Sequence, residues 1–161
     1  MSATIIQAHR ALRVLPSDNA DIPFPAVAQV GRNTSVVANQ LIDTAATFNT
    51  NFVRTGDIVY NTTDGTAATV VSVTNQTTLV LNADIFLAIN KDFIIYQASA
   101  QTTIGNQGCV LYIGGAGNVA MTTNGSDVIT FVGLNTGQFV PVQAVKVALT
   151  GTTATNIIAL W

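Results

Sequence analysis

Residues 108–161 read GCVLYIGGAGNVAMTTNGSDVITFVGLNTGQFVPVQAVKVALTGTTATNIIALW, and this stretch decides the fold. Its apolar runs are short, are rich in Val, Ile, Thr and Phe, and are separated by Gly or Asn. Runs of this kind are typical of antiparallel strands joined by tight turns. The sequence therefore predicts that this part of the chain is all β.

The same part of the chain carries few charges. Between residues 98 and 161, Asp127 and Lys146 are the only aspartate, glutamate, lysine or arginine residues. In an ordinary soluble domain about a quarter of the residues are charged. We therefore expect this sheet to be covered by something other than water, most simply by other copies of the same chain.

Several motifs occur in a defined order in this region: YIGG at residues 112–115, the strand VITFV, GQFVPV, TGTTA at residues 150–154, and a final IIALW. Together with LPSDNADIPFPA at residues 15–26, they resemble the spike base proteins of gene transfer agents and tailed phages. The resemblance covers residues 15–26 and 111–161. It implies a non-enzymatic structural protein of a virion, attached at the surface of the head.

The two matching regions are separated by a long segment of different composition. We predict that residues 1–32 form an N-terminal strand and strap belonging to a base, and that residues 98–161 supply the remaining strands of that base. Residues 33–97 resemble the small β-barrel modules found as insertions in phage surface proteins. The predicted fold class is therefore all-β, with an antiparallel β-sandwich or barrel base and an inserted small β-barrel.

Local patterns within residues 33–97 predict individual elements. Two apolar runs, at residues 57–61 and 67–73, flank a turn at residues 62–65 whose glycine can adopt a positive φ, which is typical of a hairpin. Residues 41–52 and 84–87 are each expected to hold one helical turn, the first capped by an aspartate or a threonine. This segment is therefore expected to be mostly strand with two short helical turns.

No catalytic, cofactor or metal site is expected. The only histidine, His9, accompanies no recognisable nucleophile motif. Residues 115–120 match the spacing of a dinucleotide fingerprint, but the polar residues that follow would stop the helix which that site requires, so we expect a hairpin turn at residues 114–117. Cys109 is the only cysteine and lies in an apolar run, where a buried thiol is expected.

Charge and hydropathy also exclude classes of partner. The net charge is −2 and only six residues are lysine or arginine, which argues against broad contact with nucleic acid. The sequence lacks the run of about 18 apolar residues that a membrane-spanning helix needs. The expected partners are the chain itself, as a trimer or pentamer, and the major capsid protein or other virion proteins. The expected location is the capsid surface, after synthesis in the host cytoplasm.

Basic residues near the N-terminus and apolar residues of the last third are expected at the oligomer or attachment interface. They are Arg10, Arg13, Phe131, Phe139, Val140, Pro141, Ile157, Leu160 and Trp161. Two alternatives stay open. The first is a tail adaptor or baseplate subunit. The second is a carbohydrate-binding module that stacks sugars on Tyr60, Phe52 or Tyr96.

Overall fold

A computed structural model describes residues 8–98 and 108–161, and every regular element within them is a β-strand. The strands are β1 (Ala11–Arg13), β2 (Val27–Arg32), β3 (Gln40–Ile42), β4 (Ile58–Asn61), β5 (Thr66–Asn75), β6 (Thr78–Leu81), β7 (Asp92–Tyr96), β8 (Cys109–Gly115), β9 (Gly117–Thr123), β10 (Val128–Leu134), β11 (Phe139–Val147) and β12 (Thr155–Leu160). They form two six-stranded antiparallel sheets. The prediction of an all-β fold is confirmed.

The first sheet has the strand order β1-β12-β8-β11-β9-β10. One face of it is apolar because alternate residues of β8, such as Leu111 and Ile113, point inward and are fully buried. β9 and β11 complete the same core with Met121 and Val140. The first sheet therefore has one buried face and one outward face.

Residues 114–117 do not form the predicted hairpin turn. β8 and β9 are not paired with each other, since each is antiparallel to β11. Only Ala116 separates them, and residues 153–155 bond to both Asn118 and Gly115, so β8 and β9 follow one another as a bent strand. A Cβ atom at Gly117, where φ is 154°, would lie 2.5 Å from the backbone nitrogen of Ala154. A Cβ atom at Gly114 would lie 2.5 Å from the carbonyl oxygen of Asn156. These glycines allow β12 to approach the bend, and this close packing is why glycine occurs there.

The second sheet has the order β2-β7-β4-β5-β6-β3 and is curled into a barrel. Its seam is joined by a bridge between Ser35 and Ile42, next to which the Thr34 N–H donates to the Ile42 carbonyl at 2.8 Å. β4 and β5 form the predicted hairpin around Gly65, whose φ is 71°. The barrel interior contains three phenylalanines, together with aliphatic side chains. These are Phe48, Phe86 and Phe93.

Neither of the segments expected to hold a helical turn, residues 41–52 and 84–87, contains a helix. The first has an isolated turn, in which the Asn51 N–H donates to the Thr47 carbonyl at 2.9 Å. The Asp43 carboxylate accepts a hydrogen bond from the Ala45 N–H at 2.9 Å, and the Asp43 carbonyl accepts one from the Ala46 N–H at 3.0 Å. Asp43 therefore stabilises a turn at the end of β3. Side chains such as aspartate favour turns as readily as helix caps, because the same local hydrogen bond serves both.

The strand β2 belongs to the second sheet, although the sequence placed residues 1–32 with the base. It pairs with β7 from Val27 to Arg32. Gly31 fits closely there, since a Cβ atom would lie 2.6 Å from the Phe93 ring. The segment between β1 and β2, which we call the strap, does lie on the first sheet. Its Ser17 and Ile22 N–H groups donate to carbonyls of β11 at 2.9 and 2.8 Å.

The strap also joins the two sheets. The Ser17 hydroxyl donates to the Ala67 carbonyl at 2.9 Å, and the Thr69 hydroxyl donates to the Asn19 carbonyl at 3.0 Å. A third apolar cluster lies at this junction, with the Tyr60 and Tyr96 rings 5.2 Å apart. The sheets are therefore connected by buried side chains and by direct hydrogen bonds, which predicts that they unfold together.

Candidate interaction face

The outward face of the first sheet is built by residues that lie directly opposite one another on neighbouring strands. Arg13 is opposite Ile158, Ile158 is opposite Tyr112, and Tyr112 is opposite Phe139. Residues directly opposite in an antiparallel pair share a face, so these four side chains form a row across β1, β12, β8 and β11. A second row lies beside it. We define the outer face as Ala11, Arg13, Val110, Tyr112, Phe139, Ile158 and Leu160.

The outer face is apolar and only partly covered. The Phe139 side chain is 54% exposed, and its ring packs against the Tyr112 ring with centroids 5.3 Å apart. Ile158 and Leu160 are half-buried. Arg13 is the single charged residue of the face and lies at its edge, on β1. A continuous apolar surface bounded by a polar edge is typical of a protein interaction site.

Several residues predicted from the sequence lie on this face. Arg13, Phe139 and Leu160 belong to the outer face, and Pro141 is exposed two residues along β11 from Phe139. Pro141 occurs where the pairing of β11 with β8 shifts register, a position at which a missing N–H is tolerated. The structure therefore brings part of the predicted set together on one surface.

Val140 and Ile157 were expected at the interface, and this expectation is wrong. Both side chains are buried in the core of the first sheet and have no surface to offer a partner. Each lies next in sequence to an outer-face residue, Phe139 and Ile158 respectively. Because both neighbours are apolar, the sequence does not show which of them faces inward.

Arg10 and Trp161 form a separate cluster with Phe24 at the end of the sheet. The Trp161 N–H donates to the Arg10 carbonyl at 3.0 Å, and the Trp161 and Phe24 rings meet edge to face at 5.6 Å. The Arg10 guanidinium lies 5.7 Å from the Phe24 ring centroid and donates to the Pro25 carbonyl at 3.2 Å. Arg10 therefore holds the strap within its own chain.

The last predicted residue, Phe131, lies on β10 and is half-buried against the first core. The sequence reasoning missed Val110, Tyr112 and Ile158 as members of the outer face. The signal that could have found them is the alternation in CVLYI and NIIAL, where every second residue is buried. This alternation divides the residues of each strand between two faces, and only the packing of the sheet decides which face points outward.

Two of the three proposed sugar-stacking residues are unavailable to a ligand. Tyr60 and Tyr96 are buried at the junction of the sheets, and burial raises the pKa of both phenols. Phe52 alone is on the surface, with 66% of its area exposed and a φ of 57°. A single exposed ring gives little basis for a carbohydrate site.

The titratable groups have structural roles. Burial raises the pKa of the Cys109 thiol to about 12, so this thiol is not a reactive nucleophile at neutral pH. The Asp64 carboxylate accepts hydrogen bonds from Lys91 at 2.7 Å and Asn61 at 2.9 Å, which lower its pKa. The Asp57 carboxylate accepts backbone N–H groups, while burial raises its pKa. Within residues 8–98 and 108–161, no group of three potential metal-ligating side chains occurs.

An open groove of about 520 Å³ lies between the first sheet and the β4–β5 turn. Arg13 and Asp64 line it, together with threonines of residues 152–155. The groove has a mixed polar and apolar lining, and Asp64 is already paired with Lys91. It therefore offers no arrangement of groups for chemistry.

Comparison with known proteins adds no family or structural neighbour. A scan against models of protein families finds no match, and searches of curated proteins and of solved structures find no significant match. In the described part of the chain, no helix is long and apolar enough to cross a membrane. The fold and the outer face therefore stand as the basis for inferring a function.

Proposed function

We propose that this chain is a structural protein of a tailed-phage virion, a head decoration or vertex spike-base protein that assembles as a homo-oligomer on the capsid surface. The observation that carries this proposal is the outer face, an apolar surface with a single charge on a chain that places its other charges elsewhere. Four of the motifs that resemble the spike base family, YIGG, VITFV, GQFVPV and IIALW, lie on or at the ends of strands of the first sheet, which also presents this face.

Burial of the outer face supplies the energy of attachment in this proposal. Removing apolar surface from water stabilises a complex by about 25 cal/mol per Å² before the costs of association. Phe139 is the expected anchor, because it is the most exposed large side chain of the face and already packs on Tyr112. Aromatic residues at the centre of an interface commonly carry much of the binding energy.

The second sheet has a different role in this proposal. It closes its own seam and carries both ion pairs found in the described residues, Arg32 with Asp92 and Lys91 with Asp64. The first sheet contains no ion pair among the described residues. We therefore place the first sheet against the capsid or a neighbouring copy and the second sheet toward solvent.

A substitution on the outer face tests the proposal. Purified Phe139→Asp protein is compared with the unchanged chain for binding to heads of the particle that encodes it, by co-sedimentation. Its control is Leu87→Asp, which changes an apolar residue that is 76% exposed, against 54% for Phe139, in the loop between β6 and β7. We expect the affinity of Phe139→Asp to fall about tenfold or more, which corresponds to about 1.4 kcal/mol. We expect little change in affinity for the control.

Reconstruction of the particle by electron microscopy tests the location directly. Copies on the head shell or at its vertices support the proposal. Copies arranged around the tail axis replace it with the tail adaptor or baseplate alternative. Absence of the chain from the particle, or equal loss of binding in both variants, overturns the assignment of the outer face.

A further inference from the structure

β10 forms one edge of the first sheet. Val128 to Phe131 pair with β9 on one side, from Thr122 to Val119. On the other side, no strand among residues 8–98 and 108–161 pairs with it. An edge strand of this kind presents a row of unpaired backbone N–H and C=O groups that another strand can bind.

Between Val128 and Phe131 this edge lacks the features that normally prevent pairing, and a register shift follows between Phe131 and Leu134. Its segment VITFV, residues 128–132, contains no charge and no proline. Val128 is 83% exposed, Val132 is 77% exposed and Ile129 is 46% exposed. Natural proteins usually protect an exposed edge with lysine, proline or a bulge. Here the register shift begins only after Phe131, so four consecutive pairs precede it.

The other sheet edges differ from β10. β1 has three residues, lies between Arg10 and Pro16 in sequence, and has Arg10 bonded to the Pro25 carbonyl next to it. In the second sheet, Ile42 of β3 forms a bridge with Ser35, which lies three residues beyond β2, and the edge strand β2 ends on Arg32, which is paired with Asp92. Among the edge strands of the described residues, β10 is the longest, and unlike β1 and β2 it contains no charged residue.

We propose that β10 pairs antiparallel with β10 of a second copy of this chain, with Thr130 on the two-fold axis. In this register Val128 faces Val132 of the partner subunit, Ile129 faces Phe131 of the partner subunit, and Thr130 faces Thr130 of the partner subunit. Pairs of β-branched residues, of an aromatic with a β-branched residue, and of two threonines all stabilise antiparallel sheets. The segment is complementary to itself, and this favours a second copy over an unrelated strand.

The pairing also extends the core. Ile129 and Phe131 lie on the same face of β10, and Phe131 already packs against the first core. Contact with Phe131 of the partner subunit covers Ile129, which is otherwise partly in water. The first sheets of the two copies, six strands each, would thereby join into one continuous sheet across the two-fold axis.

This contact deepens the proposed homo-oligomer by naming a surface for self-association. A two-fold contact is isologous, with the same strand used by both copies. A ring of three or five copies cannot contain it between ring neighbours, so within such a ring β10 would remain free to join one ring to another. The contact is separate from the outer face, which includes no residue of β10.

A charge exchange in β10 tests the register. Val128→Lys with Val132→Lys places lysine opposite lysine at both ends of the paired strands, and we expect at least a tenfold rise in the dimer dissociation constant. Val128→Lys with Val132→Glu has the same positions changed but places lysine opposite glutamate, and we expect it to dimerise much more tightly than the double-lysine variant. The full chain is measured by sedimentation velocity over a concentration series.

Both positions are solvent-exposed, so the fold should tolerate either variant, and Trp161 fluorescence checks this. The proposal is overturned if the unchanged chain is monomeric up to its solubility limit. It is also overturned if the two double variants behave alike. Phe139→Asp separates this result from the proposed function, because it removes the anchor for the head and leaves β10 intact.

A cysteine variant gives a second readout. Thr130→Cys places two thiols opposite each other, at a Cα separation of about 4.5–5.5 Å that a disulfide can span. We expect a covalent dimer on mild oxidation, whereas the native Cys109 is buried and should not react. Val132→Cys is the control, since it faces a valine and should not crosslink. Equal crosslinking of the two variants contradicts the register.

Discussion

The two sheets have the same secondary structure but opposite surfaces. The second sheet pairs its charges with one another, as Arg32 and Asp92 do at 2.7 Å, and buries three phenylalanines within a barrel whose seam is joined. The first sheet leaves an apolar face partly exposed, and within residues 8–98 and 108–161 no strand covers its β10 edge. Even its Lys146 is used internally, since the ammonium donates to the Asp18 carbonyl at 2.5 Å. The two sheets therefore differ in charge pairing, although the second sheet also exposes apolar residues such as Val30 and Leu87.

The largest expected effect is on the coupling of the two sheets. Phe93 is fully buried in the second sheet between Phe48 and Phe86, so Phe93→Ala should cost about 3–5 kcal/mol of unfolding free energy. Trp161 is the only tryptophan and lies beside the first sheet. Because the strap and the tyrosine cluster join the sheets, we expect the urea transition followed by Trp161 fluorescence to report the whole loss of unfolding free energy caused by Phe93→Ala.

Leu111→Ala is the reciprocal variant in the first core and should cost about 2–5 kcal/mol. Hydrogen exchange of β4 and β5 then reports on the second sheet. If Phe93→Ala leaves the Trp161 midpoint unchanged while exchange in β4 and β5 accelerates, the sheets unfold independently. The comparison would then describe two separate folding units.

A smaller effect is expected at the bend that shapes the first sheet. Gly117→Ala combines a positive φ with a Cβ atom 2.5 Å from the Ala154 nitrogen, and overpacking of this kind typically costs about 1–3 kcal/mol. Gly137→Ala is the control, because its φ is 85° but no atom lies within 4 Å of the added Cβ. We expect Gly117→Ala to lower the thermal midpoint more than Gly137→Ala. Equal shifts would show that close approach of β12 is not what requires the glycine.

The smallest effect concerns the strap on the first sheet. Asp18 accepts hydrogen bonds from the Thr150 N–H at 3.0 Å and the Thr150 hydroxyl at 2.8 Å, and these lower its pKa. A lowered pKa in the folded state means that stability is present above the unfolded pKa and is lost as pH falls through the folded pKa. We expect Asp18→Asn to weaken the acid dependence of the thermal midpoint below about pH 4.

Two other aspartates contribute to the acid dependence of stability in the same direction. The pH dependence of the thermal midpoint should therefore diminish in Asp18→Asn rather than vanish. Hydrogen bonds from Lys91 and Arg32 lower the pKa values of Asp64 and Asp92 respectively. The Asp57 carboxyl acts in the opposite sense, because burial raises its pKa. If the thermal midpoint of Asp18→Asn depends on pH in the same way as that of the unchanged chain, the hydrogen bonds between Asp18 and Thr150 do not contribute to stability.

Elements fixed by local chemistry were predictable from the sequence. The β4–β5 hairpin followed from two apolar runs and a turn with Gly65, and the strand β8 followed from the run CVLYI. The bend at residues 114–117 was not predictable in this way. Glycines there satisfy the pattern of a hairpin turn, and only the position of β11 between β8 and β9 shows that the strand continues.

The candidate interaction face was also only partly predictable from the sequence. Low charge and runs of apolar residues predict a surface for a partner in the last third of the chain, and Phe139, one of the residues named for it, is exposed in the structure. They did not distinguish it from its neighbour Val140, which is in the core. The exposed edge of β10 was missed because strand order depends on contacts between distant residues.

The sequence by itself determined that the chain is all β and that its charges are concentrated away from its last third, because strand propensity, turn residues and charge are local properties. Tertiary structure alone decided which strands are neighbours, which of two apolar faces is buried, and which edge stays open. The physical reason is that both faces of a strand such as NIIAL are apolar, so only packing against the rest of the molecule selects the inward one.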